Sequence, residues 1–409
     1  MKRKLIPSNK LMLAAVMLGI ASGLADISYV YVLASGISNV FMNLLELISL
    51  PIIFLSIVST ISSIENIDEM KILGRKVIKY TLFTTIVACL IAIGMFALIN
   101  PSGTPLNFAT DLNKTGNISS VLAFLSQIIP SNIVQAFSNN SNVLSVVFIA
   151  LLLGFAIITL PDDKQKSLSE LFSNLFEAIL RITNFIVYAM PIGIWAFVTI
   201  FTKDLKTNIS ILNELFLFTS AVLITNLIQG GVVLPLMLKF KKLKPIKMFK
   251  AMYPAIMFGG ISRSTSGALP ITLKCAETKL GISSKVANFS LPICATINMN
   301  GCAVFMITTI MFMATNHGLS LSIYDLMLWV VIATLGAIGN ASVPMSCYFL
   351  TSAFVASMNI PLHILGIILP IYSLIDMVAT ALNVWSDSTI TAIIDQEIKQ
   401  SGQLEETSK

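Results

Sequence analysis

Apolar runs near the length of a membrane crossing alternate along this chain with short polar connections. A span takes about 20 apolar residues. The runs predict membrane helices over residues 11–32, 40–61, 77–99, 168–200, 211–240, 290–314 and 363–394, with 121–160 as one longer, broken span. Two further apolar stretches are interrupted near their middles. Residues 248–273 carry Gly259, Gly260, Ser262, Arg263, Ser264, Thr265, Ser266, Gly267 and Pro270. Residues 323–356 carry Gly336, Gly339, Asn340, Ser342 and Pro344. Gly and Pro break helices, and the flanks are too short to span separately, so each stretch predicts a re-entrant helical hairpin. Such a polar tip at membrane depth must be buried in protein or line a watery cavity. Each hairpin is followed by a span with polar residues in its middle. Hairpin and helix twice, entered from opposite sides, make an inverted repeat, the mark of secondary transporters. The predicted fold is an all-α polytopic membrane protein with eight transmembrane helices plus two re-entrant hairpins.

Composition agrees. Of 409 residues, 56% are hydrophobic and 11% charged, against about 25% charged in a soluble domain. The apolar run after Lys10 reads as the first transmembrane helix rather than a cleaved leader. Lys and Arg cluster at Lys2, Arg3, Lys4 and Lys10, at Lys71, Arg75, Lys76 and Lys79, at Lys164 and Lys166, and from Lys239 to Lys250. Positive residues stay inside, which places both termini in the cytoplasm of a bacterial inner membrane; Lys203 and Lys206 fit the rule less well. The net charge of +6 therefore records topology, and no nucleic-acid partner is expected beyond membrane lipid and a small solute. The five cysteines read as small apolar packers. No HExxH, CxxC or GxSxG pattern occurs, which leaves metal or serine hydrolase chemistry without residues and predicts a non-enzyme.

The last span holds Asp376 and Asp387. A carboxylate at mid-bilayer costs roughly 2.5–3.5 kcal/mol even on the lenient insertion scale. Asp376, Thr380, Asn383 and Asp387 are spaced four, three and four, which puts them within roughly 60° on one helix face. Interhelical hydrogen bonding explains one such Asn or Thr; two carboxylates with an Asn between them point to an ion or solute. Asn298, Asn300 and Gly301 supply amide oxygens and a place to unwind, which suits a hard cation such as Na+. The tip from Ser264 to Gly267 offers hydroxyls and N–H groups for a substrate carboxylate. Arg263 is either a structural counter-ion or a substrate ligand. A channel is disfavoured because no filter-like repeat occurs. An aspartyl protease dyad is excluded because the two aspartates lie about 16 Å apart along one helix.

At these residues the chain resembles the glutamate/neutral amino-acid transporter family, the dicarboxylate/amino-acid:cation symporters. The resemblance runs over essentially the whole length. It is carried by Arg263-Ser264-Thr265-Ser266-Gly267-Ala268-Leu269-Pro270, by Asn298-Met299-Asn300-Gly301-Cys302, by Val343-Pro344, and by Asp376, Ala379, Asn383 and Asp387. It implies a homotrimer working as an elevator. Residues 1–76 would form scaffold helices 1 and 2; 77–160 helix 3 of the transport domain and scaffold helix 4; 161–245 scaffold helix 5 and transport helix 6; 246–409 the transport core. It implies a substrate site of Arg263, Ser264, Thr265, Ser266, Cys302, Val343, Pro344, Asp376, Ala379, Thr380 and Asn383. Asp376 would hold the amine, Asn383 and the first tip the carboxylate, and the second hairpin would act as the gate. Cation ligands would come from Asp387, Asn383, Asn298, Cys294, Asn300, Thr84 and Thr85.

Two departures matter. The family's side-chain arginine is Ala379 here, and the pocket threonine is Cys302. Losing a bidentate donor removes the reason to prefer a second carboxylate, so the expected substrate is a small neutral amino acid taken up with Na+. An acidic amino-acid or C4-dicarboxylate carrier is the alternative. The family's span-seven aspartate is Asn300, which predicts fewer coupled Na+ ions, or H+ at this position.

Overall fold

The computed structural model describes residues 9–62, 67–102, 129–138, 143–207, 210–319, 321–340, 345–358, 360 and 362–401, and every regular element among them is helical. Helix α1 (Asn9–Ala25) is followed after two residues by α2 (Ser28–Ser62), which runs 35 residues through Pro51. The expected spans 11–32 and 40–61 are thus divided elsewhere. The break lies at Asp26, whose φ of 51° is left-handed. Asp tolerates that region better than most residues, and Lys203 Nζ lies 3.2 Å from its carboxylate. Apolar residues on both sides hide so short a break from a hydropathy reading.

Helix α3 (Ile67–Ile99) starts ten residues before the expected span. The stretch 121–160 is described only as α4 (Ile133–Phe137) and α5 (Val143–Ile158). Helix α6 (Asp162–Thr207) is 46 residues long and carries Pro191 inside. It packs along α1 and α2, while α5 packs on α2. The sixth expected span is α7 (Ser210–Ile228), a π-helical turn (Gln229–Val233) and α8 (Leu234–Phe240). A π-turn disturbs the regular backbone ladder. Here Gly230 O accepts the Trp385 indole N–H at 3.0 Å, and the Gln229 side-chain amide donates to Thr84 O at 3.0 Å.

The first hairpin is α9 (Pro245–Ser262) and α10 (Thr265–Leu280). Its break falls at Arg263, with φ 54° and ψ 36°, and at extended Ser264. Gly259 and Gly260 do not break the helix; they let α9 press on the last helix. A Cβ on Gly259 would lie 2.6 Å from Val384 Cγ2, and one on Gly260 3.1 Å from Met377 O. The seventh expected span is two helices, α11 (Ser284–Ile297) and α12 (Asn300–Asn316), separated by Asn298 and Met299 with ψ of 66° and 61°. The second interrupted stretch gives α13 (Ile323–Ile338), opened by a Ser322–Asp325 capping box, and α14 (Ser346–Ser357). Residues 341–344, Val343 and Pro344 among them, lie outside the described residues. The final helix, α15 (His363–Ser401), is continuous through Pro370.

Helix α12 is buried from Asn300 to Thr315 and packs on α3, α7, α13, α14 and α15. Four stretches among the described residues are long and apolar enough to cross a membrane: Leu73–Ile99, Leu212–Phe240, Ser284–Asn316 and Leu365–Gln400. Beyond the second of these, Lys241 Nζ meets Glu397 at 2.6 Å. Lys76 Nζ meets the other carboxylate oxygen at 2.5 Å, and Tyr80 donates its hydroxyl to the same group. One carboxylate thereby ties the ends of α3, α8 and α15 together.

Candidate functional site

The break between α11 and α12, the first hairpin tip, the end of α13, the start of α14 and the middle of α15 meet in the interior. They enclose a cavity of about 10 Å³ lined by Arg263, Thr265, Met299, Cys302 and Asn340, with Ser346, Asp376, Thr380 and Asn383 completing the wall. That is about the space one water needs.

Asp376 is 4% exposed. Its Oδ2 accepts the Met345 N–H at 3.3 Å and its Oδ1 the Tyr372 hydroxyl at 3.3 Å. Both bonds exceed the usual N–H···O and O–H···O lengths. A buried carboxylate with bonds this long, and the Arg263 guanidinium as its neighbouring charge, can take a further cationic group. Met345 offers its N–H at the start of α14 in a left-handed conformation, φ 72°. Arg263, the other left-handed residue at a hairpin tip, sends Nη1 to Ser373 Oγ at 3.1 Å, one turn before Asp376.

Asn383 caps the broken helix. Its Oδ1 accepts the Gly301 N–H at 2.8 Å, satisfying an amide that α12 leaves open at its first turn. Its Nδ2 faces only sulfurs, Met299 Sδ at 3.3 Å and Cys302 Sγ at 3.6 Å. Sulfur is a weak acceptor, so this donor can turn to a better one. Thr265 Oγ1 donates to Ala295 O at 2.8 Å and fixes the first tip to α11.

Deeper along α15 lies a second polar cluster. Asn298 Nδ2 donates to Asp387 Oδ1 at 2.8 Å and to Ser386 Oγ at 2.9 Å. Asn300 Nδ2 donates to the same Ser386 Oγ at 2.8 Å. On the other side, Thr85 Oγ1 donates to Asn300 Oδ1 at 2.8 Å, and Thr84 Oγ1 lies 3.2 Å from Asn298 Oδ1 and 3.3 Å from Asn300 Oδ1. Asn298 thus links the Asp387 carboxylate to an oxygen-rich cluster of Thr84, Thr85, Asn300 and Ser386, donor types that suit a hard cation. An aspartate at residue 300 would only accept; the amide also donates, and it closes the network without a charge.

The sequence-derived residues are not all brought together. Ser264 caps α10, accepting the Gly267 N–H at 3.0 Å, and Ser266 is exposed; neither lines the cavity. Ala379 is buried against the α12 backbone, so close that a Cβ on Gly301 would lie 2.5 Å from its Cα. The Cys294 carbonyl accepts the Asn298 N–H at 2.8 Å as the last turn of α11. Sequence reasoning missed Met299, Asn340 and Ser346 in the cavity wall, Tyr372 on Asp376, and Ser386 between the two Asn amides. Ser386 carried a signal, three residues after Asn383 on the same helix face, and Asn340 stood in the second interruption without an assigned role.

The model of the sodium:dicarboxylate symporter family matches residues 9–397. The chain is similar, at 26% identity, to the excitatory amino acid transporter 3 of Mus musculus, over 95% of this chain and 84% of that protein. It is also 26% identical to the neutral amino acid transporter A of Homo sapiens, over 90% and 77%. An uncharacterized symporter of Haemophilus influenzae matches at 26% over 85% and 82%. The chain is an integral membrane protein and belongs to the sodium:dicarboxylate symporter family.

Proposed function

We propose that this symporter takes up a small neutral amino acid with Na+ across a bacterial inner membrane, by elevator-type alternating access in a homotrimer with both termini cytoplasmic. The observation that carries the reading is the buried, loosely held Asp376 in a cavity whose neighbour on the same helix, residue 379, is alanine. A substrate ammonium would replace the two long bonds on Asp376 with a charge-assisted one. Its carboxylate would take the Asn383 Nδ2 proton now turned to sulfur, together with N–H groups at the α10 start. The second hairpin would open and close the cavity, since Met345 belongs to it and touches Asp376 directly.

Cation binding would centre on Asp387, with Asn298, Asn383, Cys294 and the hydroxyls of Thr84 and Thr85 nearby. With Asn300 neutral, the cluster on α3 attracts a cation weakly, which supports fewer coupled Na+ ions than a carboxylate there would give. In this reading residues 246–409 move together with α3, α7 and α8 against α1, α2, α5 and α6. The closed Glu397 clamp across α3, α8 and α15 supports that division.

Arg263 in the cavity wall favours a second reading, an acidic substrate whose side-chain carboxylate meets the guanidinium. Uptake in proteoliposomes separates the two. Labelled serine, threonine, alanine, glutamine, aspartate and succinate are offered under Na+ or H+ gradients. Na+-driven uptake of a neutral amino acid is expected; preference for aspartate or succinate would establish the second reading instead.

A further inference from the structure

One amide in the cavity wall holds an oxygen with nothing to bond. Asn340 follows α13, lines the cavity and is 4% exposed. Its backbone N–H donates to Ala337 O at 3.3 Å, and its Nδ2 donates to Cys302 Sγ at 3.0 Å. Among the described residues its Oδ1 is buried without a hydrogen-bond partner. Buried acceptors are nearly always satisfied, and one that is not calls for an explanation. Several other side-chain oxygens share this condition, among them Asn226 Oδ1, Gln229 Oε1 and Thr308 Oγ1, but of the whole group only Asn340 lines the cavity beside Asp376. Around Cys302 two amides converge, Asn340 and Asn383, and both give their N–H to sulfur. That corner holds a free acceptor and two weakly engaged donors.

We propose that Asn340 is a specificity-determining residue, whose Oδ1 accepts a hydrogen bond from a hydroxyl on the side chain of the transported amino acid. The inference rests on the neutral amino-acid reading of the site. With the amine on Asp376, the side chain is directed to the remaining wall, where Cys302 and Asn340 stand. A hydroxyl donates its one proton to Asn340 Oδ1. A methyl group leaves Oδ1 bare. A side-chain carboxylate brings only acceptors to an acceptor, and leaves it equally bare. A carboxamide also carries an N–H, but sets it farther from the Cα than the hydroxyl of serine or threonine. The substrate class is therefore a hydroxylated amino acid of the serine or threonine type. A site built to bond a hydroxyl discriminates strongly against the analogue that lacks it.

The test compares serine, alanine, glutamine and aspartate as substrates of the full-length protein in proteoliposomes under an inward Na+ gradient, reading kcat/KM for each. The wild type is expected to favour serine over alanine by about tenfold or more. Asn340→Ala is expected to bring that ratio to within about threefold of unity, the loss falling on serine rather than alanine. Asn340→Asp, which keeps acceptor oxygens, is expected to retain the preference even where the alanine variant is too unstable to assay. A wild-type ratio near one, a ratio unchanged in Asn340→Ala, or a preference for glutamine over serine overturns the assignment while leaving Na+-driven neutral uptake intact. A preference for aspartate overturns the neutral reading itself.

Discussion

At the residue scale the account turns on Asp376, Ala379 and Asn300. Replacing Asp376 by Asn keeps the shape and removes the charge that would hold an ammonium. A charge-assisted hydrogen bond contributes roughly 1.5–3 kcal/mol, so Asp376→Asn is expected to raise KM for the neutral substrate about 10- to 100-fold in vesicle uptake. Ala379→Arg is expected to shift preference towards aspartate, as competition assays would show. Because Ala379 packs against Gly301, the new side chain must leave that crossing and extend to the cavity; an unchanged preference would contradict the pocket assignment. Asn300→Asp converts a closed neutral network into one with a second carboxylate. It is expected to increase the Na+ dependence of uptake, seen as a steeper Na+ titration. The carboxylates and Asn298, Asn300 and Asn383 were legible because charge and amides are rare in apolar spans. Asn340 was not, because its role depends on which wall a hairpin end meets after folding. Ser264 misled for a local reason, since its hydroxyl is occupied by the cap of α10.

At the element scale both interruptions of the apolar stretches were legible, and the first break was not placed by glycine. Arg263 and Met345 hold the left-handed positions, whereas Gly259 and Gly260 serve the contact of α9 with α15. A β-branched residue tolerates positive φ poorly. Met345→Val is therefore expected to destabilise the α14 start by about 1 kcal/mol or more and to lower the thermal midpoint, while Met345→Gly does not. The π-turn and the α1–α2 break escaped notice because apolar residues run through both. At the far end of α8, the hydrogen bond to the Glu397 carboxylate, and then Tyr80, raise the Lys241 ammonium above its ordinary pKa of 10.5. The group gains its proton more readily folded than unfolded, so its stabilisation is complete below pH 10.5 and fades as pH rises through the raised value. Unfolding of the detergent-solubilised protein across that range is expected to show this loss, and Glu397→Gln to reduce the dependence.

At the scale of the whole molecule, helices α3 and α7 to α15 surround one central polar region, and α1, α2, α5 and α6 pack beside them. The all-helical architecture and the polar interior of α15 follow from hydropathy and spacing. Which helices travel together does not, because that depends on contacts such as the Glu397 clamp between residues far apart in the chain. Substrate and ion are coupled in the proposed function, a neutral amino acid on Asp376 and Na+ by Asp387. The most direct measurement of that coupling is the flux of radiolabelled Na+ into proteoliposomes holding the purified protein, with and without external amino acids. Serine or alanine is expected to stimulate Na+ entry, succinate is not, and Asp376→Asn is expected to weaken the stimulation at a substrate concentration near the wild-type KM. Na+ entry unmoved by neutral amino acids but stimulated by succinate or aspartate would contradict the proposed function.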